Sequence, residues 1–598
     1  MKEVLNMRNK INYKKIAFYS IFIFLIILGR VIFLDSDLPA NIDLLNLYPF
    51  DEGFYTQSAF NLYNYGTFTH NIVPYITNDA GVANLFQTIL TYMSLLIFGN
   101  NYYGVRMPSI FISLITIWLF YLTLKNIKED NSKFTNYSIF SMVLYFVTDF
   151  EYLSISRIYV PTVFRIFFIT LMIYIFSKYY KESYKEIFTH KHIFIFSFLS
   201  MSSIFFIYIY NIFIYSAIVF TIFTVSLFNN WKKNKKQIAK DSFFIILGTL
   251  FSLILFIIYL KVIYSINIID YFEITLRTGQ AKQILKNTNF YSLILLPFKT
   301  IYDTLSTNIF RFNIILLLIF LLSLPIFTKK IIKNKNIFNI FLLNILFFKY
   351  TQSLFENTFF YKRLTVLLPV ILIIIFLTKN HLFQDEFKIN YKYLLYVILS
   401  FVLTISVLYF RVINDYKFGG LKTALRHGYD GNLKLSFVIF STIILFSFIF
   451  LHIKSLKNKK YIKYIFITLV ISNLFLISNY TYNFPTYYSK NTMIKLKKIN
   501  GKKITGKVAF GYRFYNNSIP ILNVYKYMDN PEKYNEYGKL LYRLVDEEIV
   551  KYALQPAYND GRLNLVNKKN SNFKIGLDKV YYSGNGIYLK LLNLKIDK

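Results

Sequence analysis

Long apolar runs separated by short polar segments dominate the first 478 residues of the chain. The first run, from Ile16 to Leu34, contains a single charged residue, Arg30. A helix needs about 20 mostly apolar residues to cross the hydrocarbon core of a bilayer. Further runs follow at residues 106–124, 135–148, 162–179, 193–208, 211–228, 242–264, 312–327, 337–349, 364–377, 393–410, 435–453 and 464–478. The pattern predicts an all-α polytopic membrane protein of about 13 transmembrane helices, with a range of about 11 to 14 because several runs are short.

Hydropathy falls after about Asn479, and the last segment has a mixed pattern. The sequences KVAFGY and VYYSGNGIYLKLLNL are typical of short strands, the second with glycines at a turn. The sequence NEYGKLLYRLVDEEIVKYAL has helical spacing. We therefore expect a transmembrane domain over residues 1–478 and a small C-terminal α/β domain over residues 479–598.

The composition agrees with a membrane protein. Hydrophobic residues make up 55% of the chain and charged residues 17%, against about 25% charged in typical soluble domains. This excludes a soluble enzyme and a disordered chain, and the absence of cysteine excludes disulfides and thiolate metal sites. The net charge of +37 would suggest a nucleic-acid partner in a soluble protein. In a membrane protein it indicates basic cytoplasmic loops, so no nucleic-acid partner is expected.

Loop charges predict the orientation in the cell (plasma or inner) membrane. The first 15 residues are basic, which places the N-terminus in the cytoplasm. The segment 35–105, called here the first outer loop, has no Lys or Arg and carries only acids: Asp35, Asp37, Asp43, Asp51, Glu52 and Asp79. The basic segments 232–240, 329–335 and 454–463 all fall on the cytoplasmic side of this topology. Segment 411–434 disagrees, because it is basic yet falls outside; either the alternation slips there or its cations have a task outside.

The first outer loop holds the strongest chemical signal. Two stretches, Glu52–Tyr65 and Ala83–Phe98, are predicted to be helices lying at the outer membrane surface. Asp51 and Glu52 stand at the start of the first of these, where carboxylates often serve only as helix caps. A carboxylate at the membrane surface can also take a proton from a hydroxyl nucleophile, acting as a general base.

Several motifs resemble those of polytopic GT-C glycosyltransferases. The Asp51–Glu52 pair with Tyr55 and Gly66 resembles the first outer loop of protein O-mannosyltransferase-like and lipid A aminoarabinose transferase-like enzymes, the family-39 type. The stretch from Leu95 to Lys125 resembles the family's passage into its second transmembrane helix, and the matching residues are Phe98, Gly99, Gly104 and Arg106. Two later stretches also resemble the family. Residues 152–164, YLSISRIYVPTVF, resemble its second outer loop and are called the second outer loop here. The stretch FFYKRLTVLLPVILIIIF resembles the basic residues and proline that begin a late helix of the family.

The resemblance implies a fold, a reaction and a set of site residues. The enzyme would move a sugar from a polyprenyl-phosphate donor to an acceptor hydroxyl on the outer face, with inversion. Asp51 would be the catalytic base, supported by Glu52, and Tyr55 would contact substrate. Asp79 lies near the place where some members hold a metal with an acid, and whether a metal takes part stays open. The acids nearest to the family's second-loop position are Asp149 and Glu151.

A phosphate leaving group needs preorganised cations near the reacting bond. The predicted outer-face cations are Arg157, Arg165, Arg277, Lys362 and Arg363, with Arg157 the first choice. Each has an alternative interpretation. Arg165, about one turn inside a helix, can snorkel to the interface, and Arg277 can pair with Glu273 one turn earlier. Lys362 and Arg363 can be interfacial anchors.

A polytopic transporter or a flippase of lipid-linked sugars is the alternative function. Transporters place ionisable or helix-breaking residues near the midplane of several helices. In this sequence charge and glycine concentrate in the predicted outer loops, which favours chemistry at the outer interface. The sugar, the acceptor and the polyprenol length stay open.

The topology can be tested directly. Because the loop charges place the C-terminal domain outside, protease treatment of intact cells should remove epitopes inserted after Asn479. Protection of that tail in spheroplasts would reject the arrangement.

Overall fold

A computed structural model describes most of the chain up to residue 382 and the strands of the tail. The described residues are 13–32, 34–35, 52, 56–66, 85–130, 132–179, 189–207, 211–230, 235–264, 267–269, 314–334, 336–356, 365–382, 470, 494–496, 503–505, 519–522, 552–557, 573–582 and 588–596.

The described part is mostly helical. The helices are α1 (Tyr13–Val31), α2 (Gln57–Tyr65), α3 (Leu85–Phe98), α4 (Tyr102–Asn126), α5 (Lys133–Thr148), α6 (Phe150–Ser156), α7 (Pro161–Ser177), α8 (His190–Phe206), α9 (Ile212–Asn230), α10 (Lys235–Tyr259), α11 (Ile314–Asn334), α12 (Ile337–Glu356) and α13 (Leu368–Leu382). A π-helical turn, Leu260–Tyr264, continues α10, and a 3₁₀ turn, Thr365–Leu367, precedes α13.

The predicted apolar runs up to residue 377 all coincide with described helices. The runs at 393–410, 435–453 and 464–478 lie outside the described residues. Within the described part, α4 and the segment Lys235–Ile263 are long and apolar enough to cross a bilayer by length and composition alone. The total number of transmembrane helices stays a prediction.

Helices are present in both stretches for which surface helices were predicted, and their position at the membrane surface stays a prediction. Helix α3 ends at Phe98 as expected, and α2 ends at Tyr65, before Gly66 with φ of +67°. Glu52, the predicted start of the first stretch, is itself helical, and α2 runs from Gln57. The backbone N–H and the hydroxyl of Thr56 both donate to the Glu52 carbonyl, at 3.1 and 2.6 Å.

The apolar residues of the helices lie either in the interior of the bundle or on its outer surface, as helices α13 and α10 show. Helix α13 is apolar on all sides, and its residues from Leu368 to Leu377 are buried, as expected for a helix at the centre of a bundle. Helix α10 packs along α8 on one side, where a Cβ on Gly248 would meet the Phe194 carbonyl oxygen at 2.6 Å. Its other side exposes Phe243, Leu250 and further large apolar side chains, the kind of surface that a bilayer covers.

The tail contains a five-stranded mixed sheet. Its strands are β1 (Lys503–Thr505), β2 (Ile519–Leu522), β3 (Tyr552–Ala557), β4 (Phe573–Tyr582) and β5 (Tyr588–Ile596), in the order β2-β1-β3-β5-β4. Strand β1 pairs parallel with β2 and β3, whereas β5 pairs antiparallel with β3 and β4.

In the tail, the structure agrees with the predicted strands around residues 583–587 and differs from the predicted helix at its C-terminal end. Strands β4 and β5 flank the glycine-containing segment 583–587, as the alternating pattern predicted. The helical pattern predicted over residues 535–554 does not extend to its end, because residues 552–554 belong to β3 and pair with β5, and Tyr552 and Ala553 also pair with β1. KVAFGY lies outside the described residues. That the tail forms a separate domain on the outer face stays a prediction.

Candidate functional site

A buried ion pair between Glu52 and Arg106 lies at the start of α4. Arg106 Nε donates to Glu52 Oε1 and Arg106 Nη2 to Glu52 Oε2, both at 2.8 Å. Glu52 is 0% exposed and Arg106 is 3% exposed. Such a two-pronged contact between a guanidinium and a carboxylate fixes both groups in orientation as well as in distance.

The same pair joins further segments of the chain. The backbone N–H of Tyr159 donates to Glu52 Oε1 at 3.0 Å, and Arg106 Nη1 donates to the Leu34 carbonyl at 2.6 Å. The Arg106 guanidinium also lies 3.9 Å from the centre of the Tyr102 ring, in a cation–π contact. One buried contact therefore connects the end of the first apolar run, the first outer loop, helix α4 and the second outer loop.

The turn before α4 explains the glycines of the motif that contains Arg106. The side chain of Asn101 caps α4 by accepting the Gly104 N–H at 3.0 Å. Gly99 has φ of +77°, a conformation that glycine adopts without strain. A Cβ on Gly104 would lie 2.2 Å from the Gly99 carbonyl oxygen, so no larger residue fits without a shift. The tight turn places Arg106 in the first turn of α4, beside Glu52.

Arg157 contacts the C-terminal end of α1. Its Nη2 donates to the Ile32 carbonyl at 2.7 Å, and its Nη1 lies 3.4 Å from the Gly29 carbonyl oxygen. The last carbonyls of a helix have no partner within the helix and carry partial negative charge. The described contacts of Arg157, which is buried, are therefore those of a helix cap. Its predicted role in binding phosphate stays a prediction.

Arg30 connects α1 to its neighbours inside the bundle. Its Nε donates to Ser113 Oγ of α4 at 3.1 Å, and its Nη2 lies 3.4 Å from the Val147 carbonyl oxygen of α5. The Tyr152 hydroxyl donates to the Ser113 carbonyl at 3.1 Å. The single charged residue of the first apolar run is thus buried in a hydrogen-bonded network.

A second basic centre lies deeper in the bundle, around the Phe213 ring of α9. The Arg165 guanidinium of α7 lies 5.8 Å from the ring centre, and Lys349 Nζ of α12 lies 5.3 Å from it. Lys349 Nζ also donates to Gln352 Oε1 at 3.0 Å. Both cations are buried, so the three helices α7, α9 and α12 bring two positive charges to one aromatic side chain.

The structure describes only part of the predicted site. Glu52, Arg157 and Arg165 are described; Asp51, Tyr55, Asp79, Arg277, Lys362 and Arg363 lie outside the described residues. Asp149 caps the short helix α6 by accepting the Tyr152 N–H at 2.9 Å. Among the described residues, no group of three or more His, Asp or Glu side chains could hold a metal.

Sequence reasoning gave no role in the site to the buried cations Arg106 and Lys349, although each left a signal. Arg106 is the first basic residue after the first outer loop, which has none of its own, so the partner of its acids had to come from another segment. Lys349 ends the predicted apolar run at 337–349, but helix α12 continues to Glu356 and encloses it. An ionisable residue within a membrane helix is a candidate for function.

No family model matches the sequence, and no curated protein does. Two solved structures match the fold over almost the whole chain. ArnT from Cupriavidus metallidurans in the apo state is 9% identical, and the match covers 97% of this chain and 98% of ArnT with a TM-score of 0.50. ArnT bound to undecaprenyl phosphate is 10% identical, and the match covers 96% of this chain and 98% of ArnT with a TM-score of 0.51.

ArnT, the lipid A aminoarabinose transferase, is a polytopic GT-C glycosyltransferase. This chain has the GT-C fold. The resemblance inferred from the motifs is thereby confirmed for the fold, with identity too low to transfer substrates or site residues. AglB from Archaeoglobus fulgidus, an archaeal oligosaccharyltransferase in complex with an inhibitory peptide and a dolichol-phosphate, also matches, at 11% identity over 91% of this chain and 70% of AglB, with a TM-score of 0.46.

Replacing Arg157 separates a helix cap from a phosphate ligand in this GT-C fold. Arg157→Met should lower the melting temperature of the ligand-free protein in detergent, because hydrogen bonds from a charged group contribute about 1.5–3 kcal/mol. Undecaprenyl phosphate should still raise the melting temperature by the wild-type increment. A normal ligand-free stability with a lost increment would instead make Arg157 a phosphate ligand.

Proposed function

We propose that the protein is a membrane glycosyltransferase that moves a sugar from a polyprenyl-phosphate donor to an acceptor hydroxyl on the outer face. One observation carries the proposal: in a chain with the GT-C fold, a buried polar centre is built around Glu52, the residue that directly follows Asp51. The ArnT structure bound to undecaprenyl phosphate supports a lipid-linked donor of this class. The acceptor is a hydroxyl of a lipid, a glycan or a protein.

The proposed reaction is a single displacement with inversion. The acceptor oxygen attacks the anomeric carbon of the sugar, and the bond from that carbon to the phosphate oxygen breaks. The lipid phosphate leaves with the bonding electron pair, and the hydroxyl proton passes to Asp51 as general base. Two requirements follow: a positioned carboxylate on the acceptor side, and cations that stabilise the departing phosphate.

Arg165 and Lys349 are the described residues best suited to the phosphate. Both are buried, and both lie beside Phe213. A guanidinium and an ammonium are the side-chain groups that bind phosphate by charge-assisted hydrogen bonds. Arg277, Lys362 and Arg363 stay proposed contributors, as do Tyr55 in substrate binding and Asp79 in a metal site. Arg157 joins them only if Arg157→Met loses the stabilisation by undecaprenyl phosphate.

A flippase of lipid-linked sugars is the second candidate. Buried ionisable residues within helices, such as Arg165 and Lys349, are also typical of transport pathways. The two functions differ in detergent solution, where a transferase forms a glycosylated product and a flippase forms none.

The first test concerns the base. Asp51→Asn keeps the size of the side chain but removes the basic carboxylate, so transfer should fall by about 10²–10⁴-fold, a change of roughly 3–5 kcal/mol in the barrier. Transfer is measured in proteoliposomes by mass spectrometry, with synthetic undecaprenyl-phosphate hexoses and pentoses as donors.

Asp43→Asn, another acid of the first outer loop, is the matched control and should transfer at the wild-type rate. Near-normal transfer by a folded Asp51→Asn protein would remove Asp51 from the mechanism.

The second test concerns the phosphate. Lys349→Gln and Arg165→Gln should each weaken binding of undecaprenyl phosphate about 10-fold to 100-fold, since a charge-assisted hydrogen bond contributes about 1.5–3 kcal/mol. Binding of undecaprenol, which lacks the phosphate, should not change. Lys261→Gln, at an exposed position beyond α10, is the control. Equal affinities for undecaprenyl phosphate in all variants would place the phosphate elsewhere.

A further inference from the structure

We propose that Glu52 and Arg106 are a positioning pair. The pair fixes the place of Asp51 relative to the second outer loop and does not touch the substrate. This inference rests on the proposed function, because it assigns the pair a role in placing the proposed base. It gives Glu52 a different role from that of a second catalytic carboxylate.

Three protein donors contact the Glu52 carboxylate. Oε1 accepts from Arg106 Nε and from the Tyr159 backbone N–H, and Oε2 accepts from Arg106 Nη2. The side chain is 0% exposed. A general base has to reach the proton that it abstracts, directly or through one water. Glu52 is oriented towards its three protein donors, so it supports the reaction through another residue.

That other residue is Asp51, by covalent geometry. Consecutive Cα atoms are about 3.8 Å apart, and the peptide unit between them is planar. The Glu52 carbonyl is also fixed, since it accepts both hydrogen-bond donors of Thr56. Anchoring Glu52 by its side chain and its carbonyl therefore restricts where the Asp51 carboxylate can lie. A misplacement of about 1 Å can cost about 10²-fold in rate.

The contact with the Tyr159 backbone N–H connects Glu52 to the start of helix α7. Tyr159 lies two residues before Pro161, which begins α7, and Arg165 follows in the first turns of that helix. Glu52 thus links the backbone beside the proposed base to the backbone that leads to a proposed phosphate cation. The pair fixes the spacing between the group that accepts the proton and the group that receives the leaving phosphate.

A double-mutant cycle on turnover tests the proposal. The variants of the cycle are Glu52→Gln, Arg106→Gln and the double variant with both substitutions, which removes both charges and leaves no unpaired buried charge. Arg106→Lys, which keeps the charge but not the two-pronged contact, is measured beside them. Each single variant should lower kcat about 10-fold to 100-fold per folded molecule, with KM for the lipid-linked donor within about twofold. The double variant should lose no more than the worse single variant, because both substitutions break one contact.

The pH dependence separates positioning from catalysis. In Glu52→Gln the fall of kcat on the acidic side should keep its wild-type midpoint, since Asp51 still provides the base. Loss of that acidic limb in Glu52→Gln, together with wild-type kcat in Arg106→Lys, would make Glu52 the base and overturn the proposal.

The absence of cysteine allows a test that needs no donor. Spin labels at Tyr65→Cys on α2 and Trp118→Cys on α4, both exposed positions, report the distance between these helices. The distance distribution should be narrow in the wild-type background and broader with Arg106→Lys. Lys330→Met, which breaks the Lys330–Glu129 ion pair elsewhere in the bundle, is the matched control and should change neither the distribution nor kcat.

The outcomes separate this inference from the proposed function. If Asp51→Asn abolishes transfer while the pair variants keep wild-type kcat, the positioning role is rejected and the proposed function stands. If the pair variants lower only the melting temperature, with normal turnover per folded molecule, the pair is merely structural and the inference fails. Wild-type turnover in Asp51→Asn rejects this inference and removes Asp51 as the base, while the transfer itself still supports a glycosyltransferase. Absence of transfer by the wild-type protein with every lipid-linked donor rejects the proposed function.

Discussion

The buried contact between Glu52 and Arg106 is the interaction on which the described part of the candidate site depends. Taking a carboxylate and a guanidinium out of water costs several kcal/mol per ion, and their attraction offsets this only in good geometry with further hydrogen bonds. Here the geometry is bidentate, and Tyr159 N–H and the Leu34 carbonyl supply the further bonds. Removal of one partner of such a pair costs about 3–5 kcal/mol because the other charge is then buried without a partner, so the segments that the pair joins must stay in the one arrangement that keeps both charges paired.

Buried charged groups also have to find hydrogen-bond partners at the C-terminal end of α1. Arg106 and Arg157, from different segments, donate to carbonyls of Leu34 and Ile32 at or just beyond this helix end. A helix C-terminus carries partial negative charge, and within the membrane no bulk water satisfies its carbonyls. Buried arginines there are therefore expected from structure alone. This is why an arginine at the predicted outer boundary is weak evidence for a phosphate site unless its donors point away from backbone carbonyls.

The helices could be predicted from the sequence, whereas the long-range contacts of the candidate site could not. Each apolar run up to residue 377 predicted a helix that the structure describes, because length and hydropathy are local properties of the chain. The helical pattern at residues 552–554 was overridden by pairing with β1 and β5, which lie far away in sequence. The Glu52–Arg106 pair spans 54 residues and the Glu52–Tyr159 contact 107. No local pattern encodes such separations, although the family-like motif around Gly104 contained Arg106.

Lys349 shows how a shift of a helix boundary changes a functional interpretation. At the end of an apolar run ending at residue 349, a lysine would be an interfacial anchor whose ammonium reaches water. Helix α12 instead continues to Glu356, and Lys349 is buried beside Phe213, where Arg165 also lies. Burial of the ammonium excludes a simple interfacial anchor, because the head group of such an anchor stays in water. The position of one helix end therefore decides whether Lys349 is a solvated anchor or part of the interior of the bundle.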